Sequence, residues 1–131
     1  MHRFLEHTAD AFLEARARTF PNAARDAMEG AFGLIGRGKR EDTHFQLAKS
    51  AGELPDLIAK TLEGLVVECE LRKISPVRVE ILEADENRKF IRAKIYGEKK
   101  APRNIIKAVT YHRLEVKKEH GSWIIRVLFD I

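Results

Sequence analysis

The segment VRVEILEADENRKFIRAKIYG, residues 77–97, decides the fold class, because apolar side chains recur at every second position on both sides of a polar turn. This period of two is typical of strands with one solvated face. Between the two runs, the sequence DENR predicts a hairpin turn. The alternating apolar residues are Val77, Val79, Ile81, Ile91, Ala93 and Ile95.

A second hairpin is predicted further along the chain. The sequence EHG, residues 119–121, is typical of a turn in which Gly121 adopts a positive φ. The strand after it, residues 123–131, is apolar on both faces, which indicates a central or doubly covered position. In the strand before it, we expect Leu114 and Val116 to face the core. Strict alternation then places Ile106, Ala108, Thr110 and His112 on that same side, and Lys107, Val109 and Tyr111 on the other.

Two helices and two further strands precede these hairpins. Apolar residues at helical spacing predict a helix over residues 21–35 and a second one over residues 54–69, opened by Pro55. Near the N-terminus, Leu13, Ala15 and Ala17 alternate with Phe12, Glu14 and Arg16, which predicts a strand with one wet face. The order β-α-β-α-β-β-β-β favours a two-layer α+β fold with two helices on a mixed or antiparallel sheet. We expect residues 1–131 to form a single domain.

Composition narrows the class of protein. The longest stretch without a charged residue has seven residues, 30–36, whereas a transmembrane helix needs about 20 apolar residues. Acidic residues occupy the place where a signal peptide would be apolar, and the single cysteine, Cys69, cannot form an internal disulfide. These features predict a cytoplasmic protein.

The net charge is +4, and its surplus lies in the C-terminal part, where residues 73–131 carry 14 basic and 8 acidic groups. A basic half is compatible with contact to RNA or to an acidic partner. Most of these cations are expected on solvated strand faces, and only Lys99, Lys100 and Arg103 form a local cluster.

Two acidic positions could carry chemistry. Asp130 and the α-carboxylate of Ile131 lie side by side, although residues at a terminus commonly fray into solvent. Asp10 closes the sequence HTAD at a strand entry, where an aspartate usually forms a local turn. If the first and last predicted strands met, Asp10 would add a third oxygen donor. Carboxylates and water suit Ca²⁺, Mg²⁺ or Mn²⁺, and the spacing of a structural zinc site is absent.

Three motifs together resemble the archease family: LEHTAD at residues 5–10, KAVTYHRLEV at residues 107–116 and the terminal VLFDI. The resemblance spans nearly the whole chain. It implies a divalent cation, Ca²⁺ above all, held by Asp10, Asp130 and the α-carboxylate of Ile131, and a functional role for Lys107. It also implies an accessory protein with no catalysis of its own. Such a protein would activate an RtcB-type RNA ligase in tRNA splicing by promoting guanylylation of the ligase histidine and repeated turnover.

Two other functions compete with this interpretation. The first is a chaperone or binding module in RNA metabolism, for example one acting on a tRNA methyltransferase, in which the metal is purely structural. The second is a metal-dependent hydrolase, for which His7 is the nearby candidate base, although a structural role in the HTAD turn is the simpler explanation. The chain departs from the family pattern at Cys69, at Ala11 and Phe12, and in two shortened connections, none of which includes the proposed ligands.

Overall fold

The computed structural model describes residues 1–5 and 10–131. Its elements in chain order are β1 (His2–Leu5), β2 (Asp10–Ala17), α1 (Phe20–Ile35), β3 (Thr43–Ser50), α2 (Leu54–Arg72), β4 (Ser75–Asp85), β5 (Phe90–Glu98), β6 (Ala108–Glu119) and β7 (Ser122–Asp130). The strands form a four-stranded sheet in the order β1-β2-β7-β6 and a three-stranded sheet in the order β3-β5-β4. All neighbouring strands are antiparallel.

The predicted α+β class is confirmed, with two differences in detail. The strands divide between two sheets, and the short strand β1 was not predicted. Its four residues, HRFL, show no alternation and are mostly exposed, so β1 forms because β2 offers it an edge rather than because of its own pattern.

Both helices begin and end close to their predicted bounds. Thr19 caps α1 by accepting a hydrogen bond from the backbone N–H of Asn22 at 3.2 Å. At the other end, Ile35 is the last helical residue and is followed by Gly36, whose φ is +112°. Such a φ is far easier for glycine than for other residues. The second helix, α2, begins beside Pro55 and extends to Arg72, one turn beyond its predicted end.

Each helix contacts strands of both sheets. The most extensive strand contacts of α1 are with β4 and β2, and those of α2 are with β6 and β3. Apolar residues of both helices and both sheets form one core cluster, in which Phe20, Phe32 and Phe129 are completely buried. The helices therefore join the two sheets around shared apolar contacts, whose burial stabilises the fold.

Strand β2 is buried on both faces, and the expected wet face is wrong for its central part. Phe12 and Glu14 are each only 3% exposed, although they lie on the face opposite Leu13 and Ala15. The Arg113 guanidinium covers the Phe12 ring at 4.4 Å, and two arginines pair with Glu14. Long cationic side chains thus cover this part of the outer face.

The predicted facing of β6 is also wrong in its first half, because the strand contains a bulge. Between Thr110 and Glu115 the strand advances five positions while β7 advances two, from Leu128 to Arg126. The three extra residues are an odd number, so the alternation reverses across the bulge. Val109 is consequently buried in the core, whereas Ala108 and His112 are exposed.

Both predicted hairpin turns are confirmed. In the first, one carboxylate oxygen of Asp85 accepts hydrogen bonds from the backbone N–H groups of Asn87 and Arg88, at 2.8 and 3.0 Å. In the second, both His120 and Gly121 have positive φ, as a tight two-residue hairpin requires. The predicted central place of the last strand is confirmed too, since β7 lies between β2 and β6. Among the described residues, neither helix has the length and apolar character needed to cross a membrane.

Candidate metal and partner site at the end of the four-stranded sheet

Asp10 and Asp130 lie directly opposite each other at one end of the four-stranded sheet. Asp10 begins β2, Asp130 ends β7, and the two Cα atoms are register partners. Ala108 at the start of β6 is the partner of Asp130 on its other side. Directly opposed residues of antiparallel strands project to the same face, with Cβ atoms about 5 Å apart. The first and last predicted strands therefore meet, as the three-carboxylate arrangement requires.

Lys107 is attached to this end of the sheet through its backbone. Its N–H donates to the carbonyl oxygen of Asp130 at 2.7 Å. Because Lys107 precedes Ala108 by one residue, alternation directs it away from the Asp10 and Asp130 face, towards the side of the helices. Its side chain is exposed, while Asp10, Asp130 and Ile131 are half-buried.

The surroundings of Lys107 are acidic. Together with Val109 of β6 and with Glu63 and Glu70 of α2, Lys107 lines a depression of about 150 Å³. Partial burial and the negative charges of Asp56 and Glu63 raise the pKa of Tyr111 in the same strand. Lys107 thus lies beside the acidic residues of α2. The sequence predicted the opposite facing for Lys107, because the bulge in β6 was not predicted.

The oxygen ligands of Asp10 and Asp130 are of the kind that a hard cation prefers, but two side chains are too few to complete its coordination. Asp10 and Asp130 offer oxygen ligands from opposed positions, and oxygen ligands are those that Ca²⁺, Mg²⁺ and Mn²⁺ prefer. Within residues 1–5 and 10–131, no group of three or more His, Cys, Asp or Glu side chains is placed to hold a metal ion. A cation at this end would need the α-carboxylate of Ile131 and further oxygens from water or a partner. His7 and the rest of the HTAD sequence before Asp10 lie outside the described residues.

A row of alternating charges crosses the same face of the sheet. Arg3, Glu14, Arg126 and Glu115 occupy register-paired positions on β1, β2, β7 and β6. Glu14 accepts from Arg3 Nε at 2.9 Å and from Arg126 Nε at 2.8 Å, and Arg126 Nη1 donates to Glu115 at 3.1 Å. We call these four residues the charge row.

The charge row fixes the ionisation of its central acid. Burial acts to raise the pKa of Glu14, but hydrogen bonds and positive charge from Arg126 and Arg3 outweigh it, so this pKa lies below its usual value. Sequence analysis missed the row. Its available signal was Arg126, a single charge inside the apolar run of the last strand, which indicates a partner on a neighbouring strand.

Comparison with known proteins relates this architecture to one family. The sequence profile of the Archease protein family (MTH1598/TM1083) matches residues 2–131. The chain belongs to the archease family. A protein archease of Sulfolobus acidocaldarius is 27% identical over 98% of this chain and 96% of its own length. The protein archease of Methanosarcina acetivorans is 30% identical over 99% of this chain and 95% of its own.

Solved structures show the archease fold at lower sequence identity. The solution structure of Methanobacterium thermoautotrophicum protein 1598 matches with a TM-score of 0.78 and 22% identity, over 99% of this chain and 98% of that one. The crystal structure of a Thermotoga maritima archease, described as a possible chaperone, matches with a TM-score of 0.61 and 20% identity. It covers all of this chain and 98% of its own. These two likenesses concern the fold alone.

Proposed function

We propose that this archease is an accessory protein that activates an RtcB-type RNA ligase in tRNA splicing. In this role it promotes guanylylation of the ligase histidine and repeated turnover, while the covalent chemistry stays with the ligase. The observation that carries the proposal is the register of β2 and β7, which places Asp10 opposite Asp130, with Lys107 bonded to the Asp130 carbonyl. Family membership supports it, because the three archease motifs of the sequence contribute these residues.

The acidic tip, which we define as Asp10, Asp130 and the α-carboxylate of Ile131, would hold a divalent cation, with Ca²⁺ the first candidate and Mg²⁺ or Mn²⁺ the others. When bound, the ion supplies positive charge that can neutralise phosphate oxygens. The two aspartates would hold it from adjacent, hydrogen-bonded strands, so little rearrangement would be needed to bring their carboxylates together. Lys107 would contribute a second positive charge at the same end of the sheet, from the face that packs on α2.

The tip would abut the nucleotide site of the ligase, where the triphosphate of GTP brings concentrated negative charge. Positioning and charge neutralisation dominate the catalysis of phosphoryl and nucleotidyl transfer. An accessory protein that presents cationic groups on a rigid sheet end can accelerate such a step without forming a covalent bond itself. This division of labour fits the described residues, which offer carboxylate oxygens on one face of the sheet end and a lysine on the other.

The decisive experiment follows multiple-turnover joining of RNA ends by the purified ligase with GTP and a divalent cation, with and without this protein. Asp10→Asn, Lys107→Ala and Asp130→Asn should each reduce the stimulation at least tenfold while leaving the thermal midpoint nearly unchanged. Glu83→Gln and Lys60→Ala, which remove exposed charges elsewhere, are the matched controls. Absence of stimulation by the parent protein would refute the proposed function. Stimulation that survives all three site variants would refute the site.

A chaperone role is the second candidate, because the related Thermotoga maritima archease is described as a possible chaperone. Among the described residues, the exposed large apolar side chains belong to several parts of the chain. They are Met1, Phe4 on β1, Val67 and Leu71 on α2, Ile105 before β6, and Tyr111 on β6. Binding of unfolded clients usually needs a contiguous apolar patch. In an aggregation assay, suppression that is equal for the parent and for Asp10→Asn would favour this second role.

A further inference from the structure

Two loops that are distant in sequence meet beyond the C-terminal end of α1. The sequence RGKR, residues 37–40, lies just after α1, and EKKAPR, residues 98–103, runs from the last residue of β5 into the connection to β6. Together they carry six exposed cations, which we call the basic surface: Arg37, Lys39, Arg40, Lys99, Lys100 and Arg103. The two loops line a depression of about 380 Å³.

Backbone and side-chain hydrogen bonds hold the two loops in place. The Lys39 N–H donates to a carboxylate oxygen of Glu98 at 2.9 Å, and the Ser75 hydroxyl donates to the Lys100 carbonyl at 2.9 Å. The Ile105 N–H donates to the Leu34 carbonyl at 3.0 Å, which fixes the end of the second loop to α1. The cations are therefore preorganised, and a ligand would not have to order the loops on binding.

Half of the basic surface is already engaged within the protein. Arg37 donates to the carbonyl oxygens of Val77 and Glu29. The Lys99 ammonium donates to the Arg72 carbonyl at 2.6 Å, and Arg40 pairs with Glu98 at 3.4 Å.

The other half lacks such partners. Among the described residues, the side chains of Lys39, Lys100 and Arg103 have neither a hydrogen bond nor an ion pair. The neighbouring acids are committed elsewhere, since Glu98 binds the Lys39 N–H and Arg40, and Asp42 accepts from the Lys99 N–H at 2.8 Å. Glu98 lines the same depression, and its pKa is lowered in part by the nearby charge of Lys100. One carboxylate shared with Arg40 leaves most of the positive charge of Lys39, Lys100 and Arg103 uncompensated, which suits an anionic ligand with several charges.

Aromatic and guanidinium groups border the basic surface on the solvent face of the three-stranded sheet. Tyr96 of β5 lies between His44 and Arg78 in the register, two positions before Glu98. The His44 and Tyr96 rings are 5.8 Å apart, and the Arg78 guanidinium covers the Tyr96 ring at 3.9 Å. Arg78 also pairs with Glu41 at 3.0 Å, and the Tyr96 hydroxyl donates to Glu80 at 3.3 Å, so these planar groups are already engaged within the protein. Aromatic rings beside cations are nevertheless a combination found where proteins bind single-stranded nucleic acid.

We propose that the basic surface binds the phosphate backbone of single-stranded RNA, with Lys39, Lys100 and Arg103 as the phosphate contacts. The choice of RNA over other single strands rests on the proposed function, whereas the phosphate chemistry rests on the cations alone. Three residues lie between Arg103 and Lys107, so their Cα atoms are four steps along the chain and at most about 14 Å apart. A strand bound here lies within a few nucleotides of the acidic tip.

The test measures binding of a fluorescein-labelled single-stranded oligoribonucleotide by anisotropy, in the absence of ligase, GTP and divalent metal. The triple variant Lys39→Ala, Lys100→Ala, Arg103→Ala should bind at least tenfold more weakly at low salt. Its log–log salt slope should be smaller by about 2, because each phosphate contact on a single strand contributes about 0.7. The single charge reversal Lys100→Glu should weaken binding in the same direction.

A matched triple variant removes equal charge elsewhere: Arg18→Ala, Lys60→Ala and Lys118→Ala. Arg18 and Lys118 lie near the other end of α1, since Lys118 is the register partner of Trp123, whose ring packs on Phe20. This variant should bind RNA as the parent does. Equal weakening of the two triple variants, or parent-like binding by the first, would overturn the proposal. Displacement of the RNA by inorganic triphosphate at equal phosphate concentration would also overturn it, because it would indicate a site for a small anion.

The outcome is separable from that of the ligase assay. Loss of RNA binding in the first triple variant needs no ligase to be observed, and failure of the RNA proposal would leave the roles of Asp10, Lys107 and Asp130 untouched.

Discussion

Glu14 and Arg126 are directly opposed in the register of β2 and β7, and Arg126 Nε donates to Glu14 at 2.8 Å. This pair forms the centre of the charge row. The Glu14 side chain is 4% exposed and that of Arg126 is 26% exposed, so the carboxylate cannot find water if its partners are removed. The pair therefore joins the two strands that carry Asp10 and Asp130 through a charged, shielded contact. It lies four residues along each strand from that site.

Glu14→Gln should lower the free energy of unfolding by about 2 kcal/mol at pH 7, because hydrogen bonds to a charged group are lost while two guanidinium groups remain. Urea unfolding followed by circular dichroism measures this. Glu83→Gln, at an exposed position on β4 whose ion pair with Arg92 is 3.8 Å long, is the control and should change stability little.

The stabilisation by Glu14 should also depend on pH. Since the pKa of Glu14 is lowered in the folded protein from an ordinary value of 4.5, its contribution is complete above that pH and is lost as the pH falls through the lowered value. The stability difference between the parent and Glu14→Gln should therefore shrink on acidification below pH 4.5. A difference that stays constant down to complete protonation would contradict the role of the charge row.

Two glycines at the end of α1 should respond oppositely to alanine. A Cβ added at Gly33 would meet no atom within 4 Å, whereas one at Gly36 would lie 2.9 Å from the Arg103 nitrogen, at a φ of +112°. We expect Gly33→Ala to stabilise the protein by up to about 1 kcal/mol. Gly36→Ala should destabilise it by about 1–2 kcal/mol or more, since both strain and a backbone clash oppose it. Thermal unfolding of the two variants checks this, and equal shifts of the same sign would contradict it.

Cys69 should be unreactive in the folded protein. It is completely buried on α2, and burial together with the charges of Glu68 and Glu70 raises the pKa of its thiol to about 12. Ellman's reagent at pH 8 should label no thiol until guanidinium chloride unfolds the chain, after which one thiol should react. Rapid labelling under native conditions would mean that α2 opens readily from the core.

A short extension after Ile131 should abolish activation of the ligase while leaving the fold intact. The extension moves the α-carboxylate away from Asp10 and Asp130, which removes one proposed oxygen donor from the acidic tip. Multiple-turnover RNA joining and a thermal melt measure the two effects. An extended protein that activates fully would exclude the α-carboxylate as a ligand, and the extension can be compared with a tag of equal length placed before Met1.

The sequence predicted the elements whose signals are local. Proline marked the start of both helices, glycine marked the end of α1, the polar turns marked both hairpins, and the two-sided apolar run of β7 predicted its central position. These signals succeeded because each depends on neighbouring residues. The sequence could not predict that β2 pairs with β7 and so places Asp10 opposite Asp130, because strand pairing depends on contacts between residues far apart in the chain.

The failures have a common physical origin in nonlocal contacts. The bulge of β6 reversed the facing of Val109 and Lys107, and nothing in KAVTYHRLEV signals three extra residues. Phe12 and Glu14 were expected in water because their cover comes from Arg113, Arg3 and Arg126 on other strands. Likewise, the cluster of Lys99, Lys100 and Arg103 was visible in the sequence, whereas its meeting with residues 37–40 was not.

The bulge in β6 divides that strand into two separately paired halves, joined by a short segment that is longer than the opposing stretch of β7. Pairs with β7 at Ala108 to Thr110 fix the first half, and pairs at Glu115 to Glu119 fix the second. Residues added or removed between the two halves should thus change the length of this joining segment. They should not shift the position of Lys107 relative to Asp130. This connection can vary in length among relatives, or accept a designed insertion, while the geometry at the end of the sheet is preserved.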